Sequence, residues 1–202
     1  MRKLLGVVVL SLLAAALVPT MALATHSNGQ GPGKDFISGS AVGPVPTPCG
    51  TPLAHFHTNG QSVLGDGAAT GHFWTDIDFT TLPAGNCLGF TEATFDGDVT
   101  CVHATSPTGA SPGFPENAAN WAGVINNVEL NPGGVPGIPG LLFAGMGILS
   151  RHVDNGSPGK GSDRAVGFPT PAPLLNCPVT AFTSSPIVQG NLIVHDGATD
   201  AP

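Results

Sequence analysis

The sequence predicts an all-β chain: a single antiparallel β-sandwich or barrel with Pro/Gly-rich loops. Three observations carry this. Several stretches alternate apolar and polar residues with period two, as half-buried strands do. The 29 Gly and 20 Pro of the 202 residues punctuate nearly every gap between those stretches. Only 9% of residues are charged, too few for the Glu/Lys-rich periodicity of a coiled coil or helical bundle. At 41% hydrophobic content the chain has enough apolar matter for a core, which argues against disorder.

Residues 1–24, MRKLLGVVVLSLLAAALVPTMALA, read as a signal peptide. Arg2 and Lys3 form a basic start, Leu4 to Val18 an apolar core, and Ala22-Leu23-Ala24 a small-x-small cleavage site. The expected destination is secreted or extracellular. Cleavage would leave four basic residues (Lys34, Arg151, Lys160, Arg164) against all 13 acidic ones, a net charge of −9. Such a chain offers no electrostatic footprint for nucleic acid. No later segment is long and apolar enough to predict a membrane span.

Residues 25–37 read as a flexible, Gly-rich lead, 38–197 as one β domain and 198–202 as a tail. Cys49, Cys87, Cys101 and Cys177 remain after cleavage. An even count in an exported chain predicts two disulfides, with three pairings open.

The strands follow in order. His55-Phe56-His57 reads as a strand that presents both imidazoles on one face. In residues 71–81, Phe73, Thr75, Ile77 and Phe79 share one face and His72, Trp74, Asp76 and Asp78 the other. In residues 92–105, Ala93, Phe95, Gly97, Val99 and Cys101 share a face opposite Glu92, Thr94, Asp96, Asp98 and Thr100. Gly97 predicts a bulge or bend there. Residues 120–130 are expected to pair, through a Pro/Gly-rich turn at 131–140, with 141–153. Residues 164–168 and 190–196 complete the set. Trp121 is expected in the core. The stretches 104–119 and 169–189 read as loops, inert spacers rather than specificity elements.

The motifs GDVTCV (97–102), HVDNGSPGKGSDR (152–164) and GNLIVHDG (190–197) resemble a family of small secreted bacterial all-β proteins without established activity. Its pattern is G-x-V-x-C, then V-x-D-N-G, then a C-terminal G-N-I-x-V-H-D strand. The resemblance implies an all-β fold and an extracellular role, and it carries no catalytic residues. Gly39-Ser40-Ala41 stands where that family starts with G-x-G.

Histidine suggests one chemistry. His55, His57, His72 and His195 resemble the copper-ligand arrangement of copper/zinc superoxide dismutases: an H-x-H strand, a third His at similar spacing, and a last His in a V-V-H-E-like segment. The chain departs from that family after His72, where WTDIDFT replaces a zinc loop, and no Arg follows Arg164. A second candidate is the Gly-rich loop 154–163. It offers oxygen ligands for calcium but reads better as a tight turn whose N–H groups Asp154 and Asp163 cap. A third is the acidic face. If their strands pair, Asp76 and Asp78 on one crowd Asp96 and Asp98 on the next; such carboxylates could bind a cation or serve hydrolysis, but the face reads better as a solvated one that keeps the sheet soluble and blunts edge pairing.

No nucleophile elbow, P-loop or H-E-x-x-H is present. The leading expectation is therefore a secreted, non-enzymatic structural or binding module for an unknown extracellular ligand or protein, with no cofactor. The alternative is a metal-binding β-sandwich using the four histidines with copper or zinc.

Overall fold

The structure, a computed structural model, describes residues 34–62, 67–105, 117–132, 137–138, 142–155, 163–178 and 183–195. The expected signal peptide, the start of the lead, residues 156–162 of the Gly-rich loop and the tail lie outside the described residues. The strands are β1 (Phe36–Pro44), β2 (Leu53–Ser62), β3 (Gly67–Asp78), β4 (Glu92–Thr105), β5 (Asn117–Asn131), β6 (Gly137–Ile138), β7 (Leu142–Phe143), β8 (Gly147–Asp154), β9 (Arg164–Thr170), β10 (Ser185–Pro186) and β11 (Gln189–His195). Nine of them form one antiparallel sheet in the order β10-β9-β8-β5-β4-β3-β2-β1-β11, and β6 and β7 form a separate hairpin. The sheet curls into a half-barrel. Among the described residues the one helical element is a 3₁₀ turn at Phe79–Thr81, which Asp78 caps by accepting from Thr80 N–H.

The interior is built from alternate residues of the central strands. Phe73, Ile77, Phe95, Val99, Val102, Trp121, Ile125 and Ile148 are buried together. Trp121 is in the core, as expected. Gly97 is where the core is tightest. A Cβ there would lie 1.9 Å from the Val124 carbonyl and 2.7 Å from the Phe73 ring. A side chain is therefore excluded, and the register slips beside Gly97, where Asn126 is the extra residue on β5.

A second slip changes the reading of β4. Val99 pairs with Gly123 but Cys101 with Ala122, which makes Thr100 a bulge. The alternation reverses beyond it. Val102 and Ala104 turn inward, and Cys101 turns to the outer face. The expectation that Cys101 shares the Val99 face is thus corrected.

On the outer face Cys101 meets Ala122, Leu149, Leu174 and Cys177. The segment 171–178 lies over this patch. The Cys101–Cys177 disulfide, Thr100 Oγ1–H donating to Leu174 O at 2.6 Å, and Asn120 Nδ2 donating to Pro178 O at 2.6 Å hold it there. This part of 169–189 is a cover for the sheet rather than a spacer, and it packs on Leu149 at the outer face of β8. The second disulfide joins Cys49 to Cys87 across two loops at one end of the half-barrel.

β1 starts at Phe36, inside the stretch read as a flexible lead. Its inward positions are Ile37, Gly39, Ala41 and Gly43, mostly too small to register as an apolar stripe. Asp35 is buried and anchors the start of β1. Its N–H donates to Ser62 Oγ, and its Oδ2 accepts from Ala104 N–H at 2.8 Å.

The two edges of the sheet approach each other without a continuous ladder, and side chains bridge them. Asp163, fully buried ahead of β9, accepts from Leu192 N–H of β11 at 2.8 Å and from Asn155 N–H at 3.0 Å. Asp154 accepts from Val194 N–H at 3.3 Å. The link between β10 and β11 crosses the same seam: Ile187 N–H donates to Asp163 O and Val188 N–H to Val42 O. Burial, with Asp154 adding to it, raises the Asp163 pKa against the opposing pull of its two N–H donors.

Candidate functional site

The interior is not filled at one end. A cavity of about 120 Å³ opens where β1 ends and β9 turns outward. Its mouth is formed by residues 43–48, Cys87 and Phe168, with the Cys49–Cys87 disulfide bracing the lip. Phe56, Ile77, Phe95 and Ile148 make the apolar wall. Two glycines on it, Gly43 and Gly167, differ from Gly97. A Cβ at either would meet nothing closer than 3.5 Å, ordinary contact. The backbone does not require glycine there, since a methyl group would fit in ordinary contact.

Polar side chains line it as well: Thr58, Thr75, Ser150, Ser185 and His152, the last 1% exposed. His152 shares the inner face of β8 with Ser150 and Ile148. Trp121 Nε1–H donates to its Nε2 at 3.2 Å, and the Phe56 ring lies 5.7 Å away. Among the described residues nothing pairs with its Nδ1. Burial depresses its pKa to about 3, so the ring is neutral at ordinary pH. Ser150 Oγ–H is committed to Val166 O at 2.6 Å.

Sequence reasoning did not single out His152 as a site residue. β8 has no alternation to show which side is interior, because Leu149, Arg151 and Val153 are buried too. The available signal was weak: Ser150 and His152 at i and i+2 share a face with Ile148, but Arg151 and Asp154 on the same strand hide the pattern.

The four histidines read as a metal set occupy the outer face. His55 and His57 share it on β2, as H-x-H predicts, and His55 Nε2 meets Ser40 Oγ at 3.1 Å. The Trp74 ring stands edge-on to His55 at 5.4 Å. His72 pairs with Asn59 and lies 3.8 Å from the Asp98 carboxylate, both well exposed. His195 pairs with Phe36, which pairs with Gln61, four residues along β2 from His57. At about 3.3 Å per residue, His195 is on the order of 13 Å further along the sheet and two strands away. Among the described residues no group of three or more His, Cys, Asp or Glu side chains is set to hold a metal ion.

The acidic face is arranged differently from the expectation. β3 and β4 do pair, but Asp96 faces Trp74 and Asp98 faces His72. Asp76 and Asp78 instead lie across from Thr94 and Glu92. Antiparallel register therefore separates the two aspartate pairs. Asp96 and Asp98 take amide N–H bonds from Asn127 and Asn126. Asp76 has a raised pKa, through burial first and then the neighbouring Glu92 and Asp78, with His55 opposing. In the 154–163 loop, the carboxylates of Asp154 and Asp163 are occupied by backbone N–H groups, as described above. One of these, Asn155, belongs to the turn itself, and the others come from β11.

The cavity is thus a concave, largely apolar site with a buried imidazole in its wall. No helix of the described residues is long and apolar enough to cross a membrane. No family model matches the chain, and no curated protein or solved structure does.

Proposed function

We propose that the chain is an exported, non-enzymatic binding module that takes a small apolar ligand into the open end of its half-barrel. The observation that carries this is the cavity of about 120 Å³, walled largely by apolar side chains, with two glycines and a neutral, buried imidazole in the wall. A core serving stability alone packs to the density of an organic crystal. This volume is close to that of an engineered apolar cavity that binds benzene, roughly 150 Å³. It is below the range of drug-sized pockets, about 300–1,000 Å³, so the ligand is small. The two disulfides and the apparent signal segment support export, as does the resemblance to small secreted β proteins.

The test is binding by the full chain, purified from an oxidising compartment. Toluene and cyclopentanone should raise its Tm and perturb the emission of Trp121, which lines the cavity. The Gly167→Leu variant should fold and lose both responses. Equal responses from parent and variant would place the binding elsewhere and refute the proposal.

A further inference from the structure

We propose that the open end of the half-barrel is a self-association surface, where two copies of the chain meet across a two-fold axis and each covers the other's cavity mouth. This goes beyond the binding role proposed above and does not require a ligand.

The first observation is where charge is missing. The mouth end is built by residues 45–52 between β1 and β2, residues 79–91 between β3 and β4, and the end of β9 at 167–170. None of these segments contains Asp, Glu, Lys, Arg or His. Their exposed positions include Pro46, Pro48, Pro83, Leu88, Phe168 and Pro169. The carboxylates lie elsewhere. Asp76, Asp78, Glu92, Asp96, Asp98 and Glu129 are on the outer face of β3, β4 and β5. Asp35, Asp154 and Asp163 are at the far end of the strands.

The second observation is the backbone at Leu88. Cys87 and Phe90 exchange both backbone hydrogen bonds, at 2.8 and 2.9 Å, around a two-residue turn. Leu88 has φ 54° and Gly89 φ 91°. A turn with both φ positive favours Asn or Asp followed by Gly, and a bulky residue is costly there. The Cys49–Cys87 disulfide pins this turn to the lip. Leu88 is thereby held 65% exposed, at a place where Asn would be less strained and better hydrated. Strain that presents an apolar side chain to water contributes nothing to a lone monomer. It is accounted for when that side chain is covered.

The occupant follows from charge. The chain carries a net charge of −7. Two copies repel each other wherever their acidic outer faces approach. At the mouth end they meet without that penalty, and a two-fold axis makes one rim complementary to its own image. A basic partner would be drawn to the acidic face instead. An end that docks on a bilayer is expected to carry Trp, Tyr, Lys or Arg at the interface, and these three segments have none. Asp78 and Glu92 border the rim beside Thr80 and Thr91. Like charges of the two copies therefore approach at the margin, and salt should strengthen the dimer by screening them.

Sedimentation velocity of the full chain, purified from an oxidising compartment without added ligand, tests this. It should show a monomer–dimer equilibrium that shifts to dimer as concentration or salt rises. Leu88→Asp removes two apolar contacts per dimer and sets a carboxylate on each side of the joint. It should raise the dimer Kd at least about a hundredfold. Leu175→Asp, at a leucine 72% exposed on the outer cover, should leave the Kd unchanged. Leu88→Gly separates contact from folding. It relieves the turn, so at low concentration its Tm should be no lower than the parent's, while its dimer is weakened at least about tenfold. A parent chain that stays monomeric at every concentration would overturn the proposal, and ligand-induced Tm shifts in that monomer would leave the binding role standing. A dimer that Leu88→Asp leaves intact would also overturn it. So would flotation of the parent with phosphatidylcholine vesicles that Leu88→Asp abolishes, since the end would then face lipid.

Discussion

Two regions of the same interior use glycine for opposite ends. Around Phe73, Gly97 and Gly123 let an aromatic ring lie directly on the backbone of neighbouring strands. A Cβ at Gly123 would meet that ring at 2.5 Å. Trp121 and Phe95 complete the packing, with centroids 5.3 and 6.3 Å from Phe73. At the open end, beside the cavity, a Cβ at Gly43 or Gly167 would meet its neighbours at ordinary contact distance, 3.5 Å or more. A glycine in a strand costs stability in either place. In the first region close packing offsets the cost. In the second no such close packing is present, and the glycines border the cavity.

Substitution tests that contrast directly. Gly97→Ala should be the most damaging change, because the new Cβ would meet backbone, which cannot swing aside. The expected loss is about 3 kcal/mol or more, read by chemical denaturation, and a misfolded product would agree. A fully stable Gly97→Ala chain would remove the distinction between the two regions.

The disulfides sharpen the comparison. Their loops span 38 and 76 residues, a doubling that changes the closure entropy by only about 0.6 kcal/mol. Each should contribute roughly 4 kcal/mol on that basis. The Cys101→Ala/Cys177→Ala pair also frees the 171–178 cover from Ala122 and Leu149 behind the packed region. It should therefore cost more than the Cys49→Ala/Cys87→Ala pair by well over the entropic difference. The second pair should in turn weaken ligand affinity more, since it loosens the mouth. Equal effects on both readouts would mean that the two ends are mechanically one unit.

Acid comes next. The folded His152 has a pKa of about 3, against about 6.5 in an unfolded chain. Between those values the unfolded state takes up a proton that the folded state refuses. Stability contributed by the neutral ring is complete above about pH 6.5 and falls as pH drops, by up to about 1.4 kcal/mol per pH unit. Asp163 works in the other direction. Its raised pKa means that its ionised form costs stability above that value, a cost relieved as pH falls through it. Denaturation at pH 7 and pH 4.5 should show a clear acid loss in the parent and a smaller one in His152→Phe. Identical slopes would show that His152 does not stay neutral.

The smallest stability effect is expected at Gly167→Leu. It should be neutral or gain up to about 1 kcal/mol, from unfolded-state entropy and filled space, while ligand binding disappears. A large destabilisation there would mean that the open volume is not available to a side chain.

How much of this could be read beforehand depends on the strand. β3 alternates cleanly, and its two faces are as the residues suggest. β4 was legible up to Val99 and then misread, because a bulge at Thr100 leaves no mark in composition yet reverses every later side chain. β1 was missed in part because Gly and Ala at inward positions carry no hydrophobic signal. The histidine pattern on β2 correctly implied a shared face, and the fold turned that face outward. The cavity has no linear motif at all. Its walls come from β1, β2, β3, β4, β5, β8, β9 and β10, so its volume is a property of register and curl. His152 is read as a site residue only once the Trp121 indole is seen beside it.

The seam has a consequence for how the chain is made. β1 pairs with β2 on one side and with β11 on the other, Phe36 lying against His195. A polypeptide made from its N-terminus delivers β1 before β11. Until then one edge of β1 is unsatisfied, and the Asp163 and Asp154 carboxylates have no Leu192 or Val194 amides to receive. The growing chain therefore holds an unpaired strand edge until β11 is made. The last ribbon to arrive completes both sides of the seam, which makes assembly wait on the final segment rather than grow from the first.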